Sequence, residues 1–519
     1  MKSLLLLVSS LPLIAATTCA SLKSLSLANT KVQFAQETAA TTMLGPGGFL
    51  LKTPAFCRVG GIITPVSDSE IHFEVWMPES GWNGKFRGTG NGGFAGSINY
   101  GDMAGALRDG FATASTDTGH RADGIDADWA LGHPEKIADF GYRAIHEMTI
   151  KAKSMIEAYY CDAPKHSYFA ACSNGGRQAL MEAQRFPEDY DGILAGAPAN
   201  YWTRLLVANF FASGKPMLEN PPSYISKDKI PAIAKAVLAA CDATDGLKDG
   251  ILSDPPSCHF DPATIVCKGA ETNDCLTPSQ AASLQRIYDG ARNGDGMVIY
   301  PGYEPGGEEG GGGWPGWISG ATPGQSAGAL FSTGFLRNMV FSDANWTYKQ
   351  STLSNALDSA DTKMAATLNS TDPNLKAFQD RGGKLIVYHG WSDAAIPPRN
   401  AINYYKNVES TMGNAAVNGF MRLYMLPGVQ HCAGGPGPNF FGQAAVLQAS
   451  DAQHDVFTAL VDWVEQGKAP ASIIATKFSK NDPARSVEMT RPVCPYPLEA
   501  KYDGAGDMKQ AGSFSCRGH

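Results

Sequence analysis

Hydrophobic and polar positions change their rhythm along this chain. In residues 71–77, Ile71, Phe73, Val75 and Met77 alternate with His72, Glu74 and Trp76, a period of two that predicts a strand closed by Pro78. A glycine-rich turn follows over residues 88–96. Residues 139–160 hold no proline and one glycine, Gly141, and predict a helix. Tyr168-Phe-Ala-Ala171 predicts a short buried strand, Cys172-Ser-Asn-Gly-Gly176 a tight turn, and residues 177–186 a helix. Ile193-Leu-Ala-Gly-Ala197 predicts the next buried strand.

From about residue 201 to 373 that alternation stops. The stretch carries four cysteines, many prolines and a glycine-dense run over residues 306–317, and predicts an inserted, irregular, disulfide-stapled subdomain. Continuous apolar runs return at Lys384-Leu-Ile-Val-Tyr388 and Arg422-Leu-Tyr-Met-Leu426, the pattern of parallel strands covered on both faces. Residues 456–466, with Val456, Leu460, Trp463 and Val464 on one face, predict a closing amphipathic helix. No internal repeat is found. The expected class is α/β, divided at residues 1–16, 17–200, 201–375 and 376–519.

Composition narrows the class. The 519 residues are 43% hydrophobic and 18% charged, an ordinary globular balance, and 57 Gly with 32 Pro predict many turns and long loops. A formal net charge of −8 argues against a nucleic-acid or anionic-membrane surface. At the N-terminus, Lys2, an apolar stretch over residues 4–14, and Ala15-Ala16 have the form of a secretory signal, too short to span a bilayer. No later segment is long and apolar enough to span one. Export makes disulfides plausible for the 11 cysteines, and short loops suggest Cys241–Cys258, Cys267–Cys275 and Cys494–Cys516. Asn345-Trp-Thr and Asn369-Ser-Thr are sequons compatible with a glycosylated surface.

Three strand ends carry candidate chemistry. Ala171-Cys172-Ser173-Asn174-Gly175 places a serine between a buried strand and a helix, the nucleophile-elbow pattern with alanine in place of its first glycine. Asp393 follows the strand ending at Tyr388, and His431 follows the strand ending at Leu426. The order Ser, Asp, His is that of α/β-hydrolases. Cys172 and Cys432 adjoin the serine and the histidine; bonded, they would hold a nucleophile beside its base, since the α-carbons of a disulfide lie roughly 4.4–6.8 Å apart. His389 and His120 compete as bases, but neither follows the last strand. Two backbone donors for an oxyanion are expected from Asn174 and from Gly92 or Gly93. The expected chemistry is acyl transfer from an ester.

A second cluster lies in the insertion. Cys241-Asp242-Ala-Thr-Asp245-Gly-Leu-Lys-Asp249-Gly-Ile251 sets three carboxylates in one short loop, with the carbonyls of Leu247 and Ile251 as further oxygen donors. That donor set suits a structural calcium ion, though Ser253 at the twelfth position rules out an EF-hand; the plainer alternative is an exposed acidic turn.

These motifs together resemble the tannase and feruloyl esterase family of secreted ester hydrolases. The resemblance rests on Cys172-Ser-Asn-Gly-Gly-Arg-Gln178, Asp393 and His431-Cys432, and on residues 88–96, 185–191 and 461–470. It implies an α/β-hydrolase core with a large inserted lid, a Cys172–Cys432 bond, and a lid calcium site at Asp242, Asp245, Leu247, Asp249 and Ile251. It also implies a Cys19–Cys57 bond, which places cleavage near Ala16 and leaves Cys161 as the odd thiol. Another early cysteine pair of fungal relatives is absent. Family members divide among feruloyl esterases, tannases and a terephthalate monoester hydrolase. The expectation is therefore a secreted feruloyl esterase acting on feruloylated plant cell-wall polysaccharide, with a tannase as the alternative. Trp314 and Trp317 are candidates for an aromatic wall of its substrate site.

Overall fold

The computed structural model describes residues 18–44, 50–443 and 451–518; the expected signal segment, residues 1–16, lies outside them. Nine strands form one sheet: β1 (Thr30–Thr38), β2 (Phe56–Ile63), β3 (Ile71–Pro78), β4 (Lys85–Thr89), β5 (Ala112–Thr116), β6 (His166–Cys172), β7 (Gly192–Gly196), β8 (Lys384–Gly390) and β9 (Met421–Leu426). Their spatial order is β1-β2-β3-β5-β4-β6-β7-β8-β9. The pairs from β1 to β5 are antiparallel, and every pair from β5 through β4 to β9 is parallel. This is a mixed sheet of the α/β-hydrolase type.

Helices Ala144–Tyr160, Asn174–Arg185 and Arg399–Met412 supply side chains to the apolar core that β2, β3, β8 and β9 share. Helix Val456–Gln466 joins a separate core with Tyr168, Ile386 and Tyr424. Strand β3 departs from its alternating pattern, because it lies inside the sheet and nearly every residue is buried. The buried carboxylate of Glu74 is met by Arg58 (2.7 Å), the Trp76 indole N–H (2.8 Å) and the Tyr100 hydroxyl (2.9 Å). Strands β1 and β2 carry no pattern strong enough to predict, and the Cys19–Cys57 bond ties β2 to the N-terminal segment.

The chain between the paired strands β7 and β8 is more helical than its composition predicts. It holds helices Trp202–Asn209, Ile230–Cys241, Pro278–Asp289, Ala327–Phe335 and Leu353–Leu368. Its prolines mislead because Pro231 and Pro278 stand in first helical turns, where a missing N–H leaves no bond unmade. The insertion shares an apolar cluster with the sheet edge, in which Phe94 and Ile396 pack with Trp202, Phe210 and Leu336.

Candidate active site

Ser173 sits where β6 stops and helix Asn174–Arg185 begins. Its backbone has φ 67° and ψ −126°, a conformation that costs a side-chain-bearing residue about 1–3 kcal/mol. The surroundings hold it there: its amide donates to the Gly196 carbonyl (2.9 Å), and its carbonyl accepts from Arg177 and Ala199 (both 3.1 Å). The turn closes only over small residues. A β-carbon on Gly176 would stand 2.3 Å from the Gly196 oxygen, and one on Gly175 would stand 2.6 Å from the β-carbon of Ala171. Glycine at 90 and 175 makes the room that lets alanine occupy position 171.

Asp393 follows β8 and is fully buried. Its Oδ1 accepts from the amides of Ala395 (2.8 Å) and Ile396 (2.9 Å), and its Oδ2 from His431 Nδ1 (2.8 Å). Burial alone would raise its pKa; the neighbouring His431, with hydrogen bonds from His389 and His431, more than offsets this and holds the carboxyl well below the usual carboxylate range. A carboxylate only accepts, so Nδ1 of His431 carries the hydrogen and Nε2 faces Ser173 Oγ at 2.9 Å as an acceptor. Cys172 and Cys432 are bonded with α-carbons 5.9 Å apart across 260 residues of chain. The other pairs are Cys19–Cys57, Cys241–Cys258, Cys267–Cys275 and Cys494–Cys516, and Cys161 is an exposed free thiol.

The competing histidines lie elsewhere. His120 is buried, stacks on Trp129 at 3.6 Å and meets the Phe94 carbonyl at 2.8 Å; burial pushes its pKa down to about 4. His389 meets Asp393 rather than Ser173, with Nε2 3.1 Å from Oδ2.

Ser173 and His431 open into a cleft of about 760 Å³ of free space, its mouth included. Most of its walls come from the insertion, notably Trp202, Leu205, Leu206, Phe210, Trp317 and Phe331. Asn209, Ser213, Tyr303, Ser326 and Ser332 add polar groups, and among the described residues no lysine, arginine, aspartate or glutamate lines it. Trp317 stands edge-on to His431 (5.4 Å) and stacks on Phe331 (6.1 Å). Trp314 is corrected: it is buried in the insertion's own core beside Tyr288 and takes no part in the cleft wall. Asn174 and Gly93 line the cleft beside Ser173, whereas Gly92 does not, its carbonyl accepting from the Ala95 amide (2.9 Å).

The turn that carries Gly93 is tied to the serine's helix by residues that the sequence marks only as parts of the family motifs, with no role of their own. Gln178 Oε1 accepts from the Asn91 amide (2.9 Å), and its Nε2 donates to Asn91 Oδ1 (3.2 Å). Arg177 is wholly buried and donates to the carbonyls of Phe140, Gly141 and Leu368, which joins the serine's helix to the insertion. Nothing local marks that arginine as buried.

In the acidic loop, Asp242, Asp245 and Asp249 each accept a backbone amide, from Gly250, Leu247 and Ile251. Asp249 also pairs with Arg491 (2.8 Å). Asp245 Oδ2 is buried without a hydrogen-bond partner, which fits an oxygen able to ligate a cation. Among the described residues no three His, Cys, Asp or Glu side chains are gathered as a metal site, so any shell here relies on carbonyl oxygens too. Of the two sequons, Asn345 is exposed. Asn369 is corrected: it is buried, its amide donating to Thr203 Oγ1 (3.0 Å) and its Oδ1 accepting the Thr203 amide (3.1 Å), which leaves no room for a glycan.

The model of the family described as tannase and feruloyl esterase matches residues 57–517. The chain belongs to the tannase and feruloyl esterase family. It is a carboxylic ester hydrolase by that membership. It is 42% identical to an uncharacterized esterase of Xanthomonas campestris, over 97% of this chain and 91% of that one. It is 34% identical to feruloyl esterase B of Aspergillus niger, over 89% and 86%. Among solved structures, feruloyl esterase B from Aspergillus oryzae superposes with a TM-score of 0.87 at 30% identity, over 96% of this chain and 99% of that one. The tannin acyl hydrolase from Aspergillus niger shares the fold, with a TM-score of 0.76 at 21% identity.

Proposed function

We propose that this member of the family is a serine esterase for esters of hydroxycinnamic acids, a feruloyl esterase acting on plant cell-wall polysaccharide. The hydrogen-bonded series Ser173–His431–Asp393 at the floor of an apolar cleft carries this reading. Ser173 Oγ attacks the ester carbonyl while His431 Nε2 takes its proton, then returns that proton to the leaving alcohol as the C–O bond breaks. Water repeats the sequence on the acyl-enzyme and frees the acid and Ser173. Asp393 holds the imidazole tautomer and offsets the imidazolium charge. Donors to the oxyanion come from the amide of Asn174, unpaired at a helix start, and from the Gly92-Gly93 turn.

The cleft's chemistry favours a flat apolar acyl group. Gallate would bring three ring hydroxyls to walls that are mostly apolar, and a terephthalate monoester would bring a carboxylate to a lining that holds no lysine or arginine among the described residues. The decisive measurement compares kcat/KM on methyl ferulate, methyl gallate and a terephthalate monoester. A preference for the gallate ester rejects the feruloyl reading and leaves a tannase.

Two further parts belong to this reading. Five disulfides, with the form of the N-terminal segment, support secretion into an oxidising compartment. The loop of Asp242, Asp245, Leu247, Asp249 and Ile251 is assigned structural calcium, the orphaned Asp245 oxygen being its support. Calcium would screen three carboxylates that repel each other and brace the insertion. A melting temperature that stays the same in EDTA and in excess calcium rejects the assignment.

A further inference from the structure

Asp393 is shared by two histidines, and only one of them faces Ser173. His389 lies at the end of β8 with its ring wholly buried. Its Nε2 stands 3.0 Å from the Ile396 carbonyl oxygen and 3.1 Å from Asp393 Oδ2. Both neighbours are acceptors, so Nε2 carries the hydrogen; it donates to the Ile396 carbonyl, with Asp393 Oδ2 within ion-pair distance of the same nitrogen. Nδ1 is buried and has no hydrogen-bond partner. A buried ring that leaves one nitrogen unsatisfied is costly, by about 1–3 kcal/mol, where an apolar side chain of similar size would fill the space without that cost. Packing alone therefore gives no reason for histidine here.

The two contacts join parts that must agree. Ile396 returns its own amide to Asp393 Oδ1 at 2.9 Å, so residues 393–396 close on themselves through the carboxylate and the ring of His389. Ala395 and Ile396 also line the cleft. With His431 Nδ1 and the amides of Ala395 and Ile396, His389 completes four donors around a carboxylate without solvent. His431 Nδ1 already holds Oδ2; His389 Nε2, 3.1 Å from the same oxygen, is a second fixed contact on that side and ties it to the Ile396 carbonyl.

We propose that His389 is a positioning residue: it locks the orientation of Asp393, and thereby of His431, and fixes the cleft wall at Ile396. It exchanges no proton with substrate. This rests on the reading of Ser173, His431 and Asp393 as the reacting unit, and labelling of Ser173 by a fluorophosphonate is measured first. Failure of the parent chain to label defeats that reading and the role of His389 with it; a parent that labels leaves the variants to decide that role alone.

The test compares His389→Leu, His389→Gln and His389→Asn on methyl ferulate. Gln carries an amide N–H to the place of Nε2; Leu removes the donor and Asn stops short of it. Loss of orientation lowers kcat about ten- to hundredfold in the Leu and Asn variants with KM nearly unchanged, and Gln restores most of it. The downfield proton resonance of His431 Nδ1–H, present in the parent and in His389→Gln, shifts or broadens in His389→Asn. Full kcat in His389→Leu, or equal kcat in the folded Gln and Asn variants, overturns the proposal. If His389→Leu does not fold, the Gln–Asn comparison decides alone.

Discussion

At the sheet edge, the reactive residues are held by backbone hydrogen bonds and a disulfide. Ser173 is pinned by Gly196, Arg177 and Ala199, Asp393 by the amides of its own loop, and the loop of His431 by a covalent bond to the residue before the serine. Across the cleft, the insertion presents aromatic and aliphatic side chains and few hydrogen-bonding groups. The edge makes one geometry and tolerates little change. On the proposed reading the walls set which acyl group lies flat. Chemistry and selectivity are thus built from different materials, and the two regions should respond differently to substitution.

The largest contrast comes from the edge. Ser173→Ala should lower kcat on methyl ferulate by about 10⁴-fold or more while thermal unfolding stays unchanged. Substantial residual hydrolysis would reject Ser173 as nucleophile. Asp393→Asn should cost about 10³- to 10⁴-fold, because an amide favours the wrong imidazole tautomer. It should also flatten the acid side of the stability curve. The carboxyl of Asp393 has a folded pKa below its unfolded one, so its contribution is present above about pH 4 and lost as pH falls further.

Removing both Cys172 and Cys432, as serines, should lower unfolding stability by about 2–5 kcal/mol and reduce kcat as well. Unchanged kcat in the reduced pair would show that hydrogen bonds alone align the serine and the base. On the other side of the cleft, Phe331→Ala should raise KM for methyl ferulate about tenfold and leave hydrolysis of a small acetate ester near the parent rate. Equal loss on both esters would mean that the walls also serve the reacting atoms, and would erase the contrast.

The smallest effect concerns pH and stability. Burial pushes Asp117 up to about 7 and Asp139 and Asp455 up to about 6. These folded pKa values exceed the unfolded value of about 3.9, so the stabilisation is complete below that pH and is lost as pH rises through 6 to 7. Urea unfolding of the parent should show a slope over that window, and Asp117→Asn should lessen it.

Strand ends and their turns are local, and local chemistry is readable. A serine between an apolar run and two glycines, an aspartate after one buried strand and a histidine after another depend on neighbours in the chain, so their place at the sheet edge was legible. Burial is not local. Asn369 carries a faultless sequon, yet the fold spends its amide on Thr203; Trp314 and Trp317 lie three residues apart, and packing sends one to a core and the other to the cleft. Composition also misjudged the insertion, since prolines that break a helix in its middle start one at its end.

The amino-acid order by itself determined which residues can react, because a nucleophile, a base and an acid must each stand on a turn their own segment can form. Only the tertiary structure decided that they meet, that His389 attends the acid while His431 attends the serine, and that the insertion's apolar faces become walls. Those outcomes depend on distances between segments up to 260 residues apart, and close packing, which has no period along the chain, sets them.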